Sequence, residues 1–223
     1  METTGAFIFD IDGTLVDSMA AHTQAWAEFL EQNGAQLESQ DARRSLVGRT
    51  TRDILVQVFG NQLSEDEIEE LTEQKERIYR QLYLPALKPL PGLLEFLERS
   101  LALGIPMAVA SSARKANIDY TLDGLGIRAY FKEIIGEEQV VQPKPHPEIY
   151  LATAARLGVP SKRCIVFEDS AVGIQAALGA GTQVIGVATT LAVEDLRRDF
   201  PLAKVIRDYT GLEPGILIES VMK

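Results

Sequence analysis

The sequence is poor in cysteine, in histidine and in basic residues. It contains 223 residues with one cysteine and two histidines, and its 22 lysines and arginines face 32 aspartates and glutamates. The single cysteine, Cys164, excludes an internal disulfide, and its place in the apolar run CIVF indicates a buried side chain rather than a catalytic thiol. A net charge of −10 without a basic cluster argues against a nucleic-acid-binding surface.

Long hydrophobic runs are also missing. The longest ones, such as Met107 to Ala110, are far shorter than the roughly 18 residues of a membrane span. The first residues, METTG, have neither the basic nor the apolar segment of a secretion signal. We therefore expect a cytoplasmic protein without a membrane partner. Its length suffices for one large domain or for a core domain with an insertion.

Short continuous apolar segments predict the strands of a parallel sheet that is covered on both faces. Five segments have this character: Ala6 to Phe9, Met107 to Ala110, Glu133 to Ile135, Cys164 to Phe167 and Val184 to Val187. Helical patterns separate the last four segments: Ala113 to Leu122, Glu148 to Leu157 and Val172 to Leu178. The alternation predicts an α/β fold with a doubly wound, mainly parallel, Rossmann-like sheet.

The stretch between the first two strands is too long for one crossover helix. Four segments in it have helical periodicity: Met19 to Gln32, Thr50 to Val58, Glu65 to Tyr83 and Leu93 to Leu103. Ser64 and Glu67 have the spacing of a capping box at the start of the third. The fourth fits the crossover back to the sheet. We therefore predict an all-helical cap domain, residues 15–86, inserted into a core domain formed by residues 1–14 and 87–223.

Polar side chains stand at or just beyond the ends of several predicted strands. They are Asp10 and Asp12 after the first strand, Ser111 and Ser112 after the second, Lys144 in the QPKPHP loop after the third, and Glu168 and Asp169 after the fourth. Ligands of open parallel sheets bind beyond the carboxyl ends of the strands, so we expect these side chains to share one site.

The residue types in this predicted site favour phosphoryl chemistry. Several carboxylates cannot all stay ionised without a counter-charge, and a divalent cation with oxygen ligands, Mg²⁺, supplies it. Lys144 and the Ser111 hydroxyl suit the other oxygens of a phosphoryl group. One aspartate could attack phosphorus and form an aspartyl-phosphate while another moves protons. The spacing alone does not decide whether Asp10 or Asp12 attacks.

Each signal also has a structural interpretation. The DxDG sequence could form an ordinary turn, Ser111 could cap the next helix, and Glu168 and Asp169 could be the acidic first turn of a helix. Lys144 could be a solvated loop residue. Their occurrence in order after successive strands favours the common site.

The segments FDIDGTLVDS, VASS, PKPHPEIY and VFEDSAVGIQAA resemble the four signature motifs of the haloacid dehalogenase-like hydrolase superfamily, in its branch with a helical cap inserted after the first strand. The resemblance implies that Asp10 is the nucleophile and a Mg²⁺ ligand. It implies that Asp12 is the acid/base and binds the metal through its backbone carbonyl. The dehalogenases lack this second aspartate, so Asp12 favours phosphoryl transfer.

The same resemblance assigns the remaining core residues. Ser111, with Ser112 beside it, and Lys144 would hold the phosphoryl group of the substrate. Asp169, with Glu168 beside it, would complete the metal site. Within the superfamily the chain is similar to sugar-phosphate phosphatases and to β-phosphoglucomutase.

Part of the cap also resembles the mutase. HTQAW resembles a segment whose histidine and tryptophan flank the active-site entrance, which implies substrate contacts for His22 and Trp26. Lys75 in EQKERIY matches a cap lysine near the distal phosphate of the substrate. His22 could instead be a helix-surface residue, Trp26 a packing residue and Lys75 a solvated charge.

The arginine of the mutase cap has no clean counterpart in this chain. Thr51 stands at the ungapped position, with Arg49 and Arg52 close by as candidate substrate ligands. Both arginines could also be solvated surface charges. The DGT of the first motif is commoner among the phosphatases than the DGV of the mutase.

These observations predict a Mg²⁺-dependent phosphatase that hydrolyses a small phosphorylated metabolite, a sugar phosphate above all, through an aspartyl-phosphate on Asp10. A phosphosugar mutase of the β-phosphoglucomutase type is the first alternative. A non-catalytic module that binds a phosphorylated metabolite is the second. We expect a monomer, with a dimer as the alternative.

Overall fold

The computed structural model describes residues 5–35 and 51–221, and the chain divides into two compact units. The α/β unit is formed by the chain up to Asp17 together with the chain from Leu87 onward. The helical unit is Ser18–Ala86. In the described part of the chain, no helix has the length and apolar character needed to cross a membrane.

The helical unit begins at Ser18, after the predicted start at Leu15. Leu15 and Val16 are fully buried. The Leu15 carbonyl accepts a hydrogen bond of 2.9 Å from the backbone N–H of Leu90, and Val16 forms an antiparallel bridge with Pro89. The chain segments that leave and re-enter the α/β unit therefore pair with each other and belong to that unit.

Described helices of the helical unit are α1 (Met19–Gln32), α2 (Thr51–Phe59) and α3 (Glu65–Tyr83). The bounds of α1 and α3 are those predicted from periodicity. The capping box at the start of α3 is confirmed, since the Ser64 hydroxyl accepts from the Glu67 N–H and the Glu67 carboxylate accepts from the Ser64 N–H. α1 packs against α3. The buried face of α1 includes Trp26 and Phe29.

The α/β unit contains a sheet of six strands in the order 3-2-1-4-5-6, and every neighbouring pair is parallel. The strands are β1 (Ala6–Phe9), β2 (Met107–Ala110), β3 (Glu133–Ile135), β4 (Cys164–Glu168), β5 (Gln183–Val187) and β6 (Lys204–Ile206). The predicted fold class is confirmed. Sequence reasoning missed β6, which is only three residues long and begins with an exposed lysine.

Helices flank this sheet between and after its strands. They are α4 (Leu93–Ala102), α5 (Lys115–Gly124), α6 (Glu148–Leu157), α7 (Ala171–Gly179), α8 (Val193–Asp199) and α9 (Pro214–Glu219). The bounds of α6 are those predicted. α5 starts later than the predicted Ala113, because Arg114 before it has an extended backbone. The short helices α8 and α9 were not predicted.

The register of the central strands brings their carboxyl ends to one level. Phe9 of β1 pairs with Val109 of β2 on one side and with Phe167 of β4 on the other. The strand order reverses at β1, and the crevice at such a switch point is where open α/β sheets bind ligands. Asp10 and Glu168 stand at this crevice.

Aromatic side chains pack beneath the same strand ends. Phe9 stacks on Phe167 with ring centroids 4.7 Å apart, and the rings of Phe96 and Tyr209 lie 5.5 Å from that of Phe167. Burial of each such ring stabilises the fold by about 1.5–3 kcal/mol. This packing fixes β1 and β4, and with them the backbone that carries Asp10 and Glu168.

Candidate active site

A buried lysine joins the ends of β1 and β4. The Lys144 ammonium donates to Asp10 Oδ1 at 2.8 Å, to Glu168 Oε1 at 2.7 Å and to the Ala110 carbonyl at 3.3 Å. Its side chain is only 4% exposed, so the interpretation of Lys144 as a solvated loop residue is wrong. An ammonium has three N–H donors, and all three have protein acceptors here.

Glu168 is saturated by hydrogen bonds. Its Oε1 accepts from Lys144 and from the Tyr150 hydroxyl, and its Oε2 accepts from the N–H groups of Asp169 and Ser170 and from the Ser170 hydroxyl, at 2.7–3.1 Å. A carboxylate offers about four lone-pair directions, and five donors use them. This saturation argues against the predicted role of Glu168 as a metal ligand. The same carboxylate accepts a hydrogen bond of 2.7 Å from Lys144, and a metal-ligand role of Glu168 stays a prediction.

Local structure explains why Glu168 is held so firmly. The residue ends β4 and precedes α7, so its carboxylate faces the N-terminal N–H groups of that helix, which favour an anion. A Cβ on Gly173 would overlap the Glu168 carboxylate. Only glycine at that position lets the helix approach so closely. Ser170 caps the helix through a hydrogen bond from the Gly173 N–H at 3.1 Å.

Tyr150 is a functional candidate that sequence reasoning missed. Its fully buried side chain donates to Glu168 Oε1 at 2.9 Å, and its ring lies 4.9 Å from the Lys144 ammonium. The sequence offered a signal, since Tyr150 lies in the PKPHPEIY segment on the buried face of α6. We call Asp10, Lys144, Tyr150 and Glu168 the Lys144 cluster.

The charges of this region do not balance. Asp10, Glu168 and Asp169 are buried carboxyl groups, and Lys144 is their close cation. Burial raises the pKa of Asp10 to about 7, although Lys144 opposes the shift. Burial and the charges of Glu168 and Asp10 hold the pKa of Asp169 well above its usual value. Two of the three carboxyl groups therefore lack the positive charge that would keep them ionised.

The pKa values of Lys144 and Glu168 move in the opposite sense to those of Asp10 and Asp169. Burial would lower the pKa of Lys144, but Asp10 and Glu168 hold it well above its usual value. Burial would raise the pKa of Glu168, but Lys144 and the hydrogen bonds lower it. Both shifts favour the charged forms of Lys144 and Glu168, which form an ion pair. The carboxyl groups whose ionised forms are disfavoured are therefore Asp10 and Asp169.

Asp169 lies between the loop after β1 and the loop after β5. A Cβ on Gly13 would overlap Asp169 Oδ2, and Gly13 has a φ of +76°, which favours glycine. The Thr190 hydroxyl donates to the same Oδ2, and the Thr189 hydroxyl donates to the Gly13 carbonyl. Sequence reasoning missed both threonines.

The other predicted core residues lie at the expected strand ends. Asp12 is partly buried in the loop after β1, and its charge contributes to the raised pKa of Asp10, which places the two carboxyl groups near each other. Ser111 is buried, and its hydroxyl accepts from the Ala113 N–H at 3.1 Å. It therefore stabilises the turn before α5 rather than capping that helix. Ser112 is exposed.

The donor set fits a hard divalent cation. In the described segments no three histidine, cysteine, aspartate or glutamate side chains form a metal cage by themselves. Mg²⁺ does not need one, because it usually takes one or two carboxylates and completes its shell with water and substrate phosphate. Hydrogen bonds engage Oδ1 of Asp10 and Oδ2 of Asp169. The second oxygen of each carboxylate and the surplus negative charge suit such an ion.

The helical unit has a buried lysine of its own. Lys75 donates to Glu76 Oε1 at 2.8 Å and lies 3.0 Å from His22 Nδ1. Its ammonium lies 5.3 Å from the Trp26 ring and 5.7 Å from the Tyr79 ring, on which His22 stacks at 3.7 Å. We call these five residues the Lys75 cluster.

Burial decides between some interpretations of the Lys75 cluster. Lys75 is 3% exposed and Trp26 is 7% exposed. The interpretation of Lys75 as a solvated charge is therefore wrong. Substrate contacts of His22, Trp26 and Lys75 stay predictions.

The structure describes one of the two arginine candidates. Arg52 forms an ion pair with Glu65 at 2.5 Å, and both side chains are exposed. Such a pair contributes little to stability. Arg49 lies outside the described residues. A substrate contact of either arginine stays a prediction.

A doubly wound parallel sheet with an acidic, lysine-bearing crevice at its switch point defines an α/β enzyme. The family model described as haloacid dehalogenase-like hydrolase matches residues 7–187. The fructose-1-phosphate phosphatase YqaB of Escherichia coli is 34% identical over 186 residues, which cover 83% of this chain and 97% of that protein. The chain belongs to the haloacid dehalogenase-like hydrolase family, and the resemblance found in its motifs is confirmed.

Solved structures agree with this family and with the fold. A HAD hydrolase of family IA, variant 3, from Entamoeba histolytica matches with a TM-score of 0.90 at 27% identity, over 98% of this chain and 100% of that chain. The β-phosphoglucomutase of Clostridium difficile matches with a TM-score of 0.82 at 27% identity, over 97% and 96% of the two chains. The prediction that the chain is a hydrolase is confirmed.

Proposed function

We propose that the protein is a Mg²⁺-dependent phosphatase that hydrolyses a small phosphorylated metabolite, with sugar phosphates as the substrate class. One observation carries the proposal: Lys144 holds Asp10 at the switch point of the sheet through a hydrogen bond of 2.8 Å to one carboxylate oxygen. The name of the E. coli relative, a fructose-1-phosphate phosphatase, supports the substrate class.

Asp10 is the proposed nucleophile. Its oxygen would form a bond to phosphorus as the bond from phosphorus to the leaving oxygen breaks, which gives an aspartyl-phosphate. A carboxylate attacks only when ionised, and the raised pKa of Asp10 shows that burial alone works against ionisation. Lys144 offsets part of that cost. Its weakest hydrogen bond, 3.3 Å to the Ala110 carbonyl, is the one that a phosphoryl oxygen would replace most easily.

Asp12 is the proposed acid and base. It would protonate the leaving oxygen in the first step and deprotonate the attacking water in the second. It lies in the loop two residues beyond Asp10. The Ser111 hydroxyl would donate to a phosphoryl oxygen, since its present hydrogen bond uses it only as an acceptor.

Asp10 and Asp169 would hold Mg²⁺ through side-chain oxygens, and Asp12 through its backbone carbonyl. The ion would supply positive charge between the attacking carboxylate and the phosphoryl oxygens. We do not include Glu168 among the ligands, because its oxygens already accept five hydrogen bonds.

A panel of sugar phosphates and other phosphate esters tests the proposal by release of inorganic phosphate, with Mg²⁺ and with EDTA. We expect Mg²⁺-dependent turnover of at least one sugar phosphate, and a phosphate on Asp10 that survives an acid quench and is released by hydroxylamine. A wild-type protein that is inert across the panel would support the non-catalytic binding module instead.

A mutase remains the second candidate, because the structural likeness to a β-phosphoglucomutase covers nearly the whole chain. β-Glucose 1-phosphate with a trace of the sugar bisphosphate separates the two activities. A mutase yields glucose 6-phosphate with little inorganic phosphate, whereas stoichiometric inorganic phosphate eliminates it. The monomeric state and the cytoplasmic location are part of the proposal, and size-exclusion chromatography with light scattering tests the former.

A further inference from the structure

We propose that Thr190 is a positioning residue for magnesium binding: its hydroxyl holds the Asp169 carboxylate in the orientation in which the second oxygen faces the ion. The inference rests on the proposed function, because it concerns the same site. It adds a residue from the loop after β5 to a site whose predicted members lie at or after the ends of the first four strands.

A hydrogen bond from Thr190 orients the Asp169 carboxylate. The Thr190 hydroxyl donates to Oδ2 of Asp169, across 21 positions of sequence. Within residues 5–35 and 51–221 it is the only hydrogen-bond donor to that carboxylate. Asp169 is 2% exposed, so little water can replace the bond. Without Thr190 the carboxylate would lose its orienting partner.

The loop after β1 lies against the same oxygen of Asp169. A Cβ at Gly13 would overlap Oδ2, so the Gly13 backbone lies directly against that oxygen. The Thr189 hydroxyl donates to the Gly13 carbonyl at 2.5 Å, and the Gly13 N–H donates to the Val16 carbonyl at 2.8 Å. Adjacent threonines after β5 therefore hold both the carboxylate and the loop against which it rests.

Two neighbouring carboxylates, Glu168 and Asp10, repel the Asp169 carboxylate. The hydrogen bond that Glu168 accepts from Asp169 comes from the backbone N–H rather than from the Asp169 side chain. An unrestrained carboxylate in this field would turn away from its neighbours, whereas metal binding needs it to face Asp10. Partners that orient metal ligands in this way typically change metal affinity by about 10–100-fold when they are removed.

Four variants isolate this effect. Thr190→Val keeps the shape of the side chain and removes the donor, and Thr190→Ser keeps the donor. Thr190→Ala serves if the valine variant does not fold. Thr182→Val is the matched control, because Thr182 is a buried threonine of the same unit whose hydroxyl donates to the Ala177 carbonyl at 2.9 Å, at the opposite end of β5.

Binding of Mg²⁺ alone is measured by isothermal titration calorimetry on the full chain, without substrate. We expect Thr190→Val to raise the Kd for Mg²⁺ by about 10–100-fold, and Thr190→Ser to stay within about threefold of wild type. We expect Thr182→Val to bind Mg²⁺ with the Kd of wild type. For Thr190→Val, we expect the Mg²⁺ concentration that gives half-maximal phosphatase activity to rise by a similar factor. We expect kcat at saturating Mg²⁺ to fall by a smaller factor than the one by which the Kd rises.

Two results overturn the inference, and they are distinguishable. If wild type and Thr190→Val bind Mg²⁺ equally, the positioning role is wrong while the proposed function stands, even if activity falls. If wild type itself binds no Mg²⁺ in the presence or absence of inorganic phosphate, the proposed magnesium site fails and this role fails with it.

Discussion

Lys144 in the α/β unit and Lys75 in the helical unit have similar surroundings. Both side chains are almost fully buried, at 4% and 3% exposed. Each donates to a carboxylate at 2.7–2.8 Å and lies about 5 Å from an aromatic ring, Tyr150 in one case and Trp26 in the other.

The two clusters differ in the number and the origin of their carboxylates. Glu76, the carboxylate with which Lys75 forms an ion pair, is its neighbour in sequence. Lys144 meets carboxylates from β1 and β4, which lie 134 and 24 positions away, with Asp169 close behind them. Surplus buried negative charge needs a cation, and this is what a metal-assisted phosphoryl site requires.

Asp10→Asn has the largest expected effect. Loss of the nucleophile is expected to lower kcat by about 10³-fold or more, because removal of a group that forms a covalent intermediate leaves only the surrounding binding interactions. The fold is expected to survive, since the change removes a buried negative charge from a region that has too many. Phosphate release and circular dichroism check both statements. Activity close to wild type would place the nucleophile elsewhere.

Lys144→Met is expected to lower kcat by about 10²–10³-fold, the range for loss of a preorganised electrostatic contact. It also leaves Asp10 and Glu168 without their cation. Kinetics at saturating Mg²⁺ measure the effect. A variant with unchanged kcat but a raised substrate KM would show that Lys144 only binds the substrate.

Lys75→Met tests whether Lys75, unlike Lys144, serves stability alone. The change removes the ammonium that forms an ion pair with the buried Glu76 carboxylate, which is expected to cost about 3 kcal/mol of unfolding free energy. In Lys75→Met/Glu76→Leu most of that loss is expected to be recovered, because neither charge remains. Urea unfolding of the single and double variants gives the values. If stability is unchanged and the substrate KM rises instead, Lys75 contacts the substrate, as the family resemblance predicts.

Mg²⁺ is expected to raise the unfolding free energy of wild type by about 2.7 kcal/mol at 100 times its Kd, through binding to the folded state alone. Asp10→Asn and Asp169→Asn are expected to lose much of this gain, and Lys75→Met to keep it. Thermal unfolding with and without Mg²⁺ provides the measurement. An equal gain in all variants would mean that the ion binds outside the proposed site.

Tyr150→Phe has the smallest expected effect and tests a single hydrogen bond of the Lys144 cluster. It removes one hydrogen bond to Glu168 and is expected to cost about 1 kcal/mol of stability. Tyr209→Phe is the control, because the buried Tyr209 hydroxyl has no hydrogen-bond partner among the described residues. That control is expected to be neutral. Equal losses in the two variants would remove the case for Tyr150 as the residue that holds Glu168.

Much of the fold followed from local patterns. The five predicted strands are continuous apolar runs, which a sheet covered on both faces requires, and α1, α3 and α6 have strong periodicity or glycine stops. The helices α8 and α9 were missed because they are short and partly polar, so their stability comes from neighbours rather than from their own sequence. β6 was missed although it has the same length as the predicted β3 and, like it, begins with a charged residue.

The sequence predicted which residues form the candidate site, but it did not predict the hydrogen bonds between them. Strand ends and motif resemblance placed Asp10, Lys144 and Asp169 together. They could not show that Glu168 is saturated, because that depends on Tyr150 and on the helix that follows β4.

The sequence by itself determined the sheet, the inserted helices and the carboxylates, since these follow from hydrophobic periodicity and from residue types at strand ends. Only the tertiary structure decided which carboxylates keep an oxygen for an ion, which lysine has surplus acidic neighbours and which threonines orient Asp169. The physical reason is distance along the chain. Hydrogen bonds such as those from Lys144 to Asp10 and from Thr189 to Gly13 join residues 134 and 176 positions apart, and no local pattern encodes which of many polar side chains will meet.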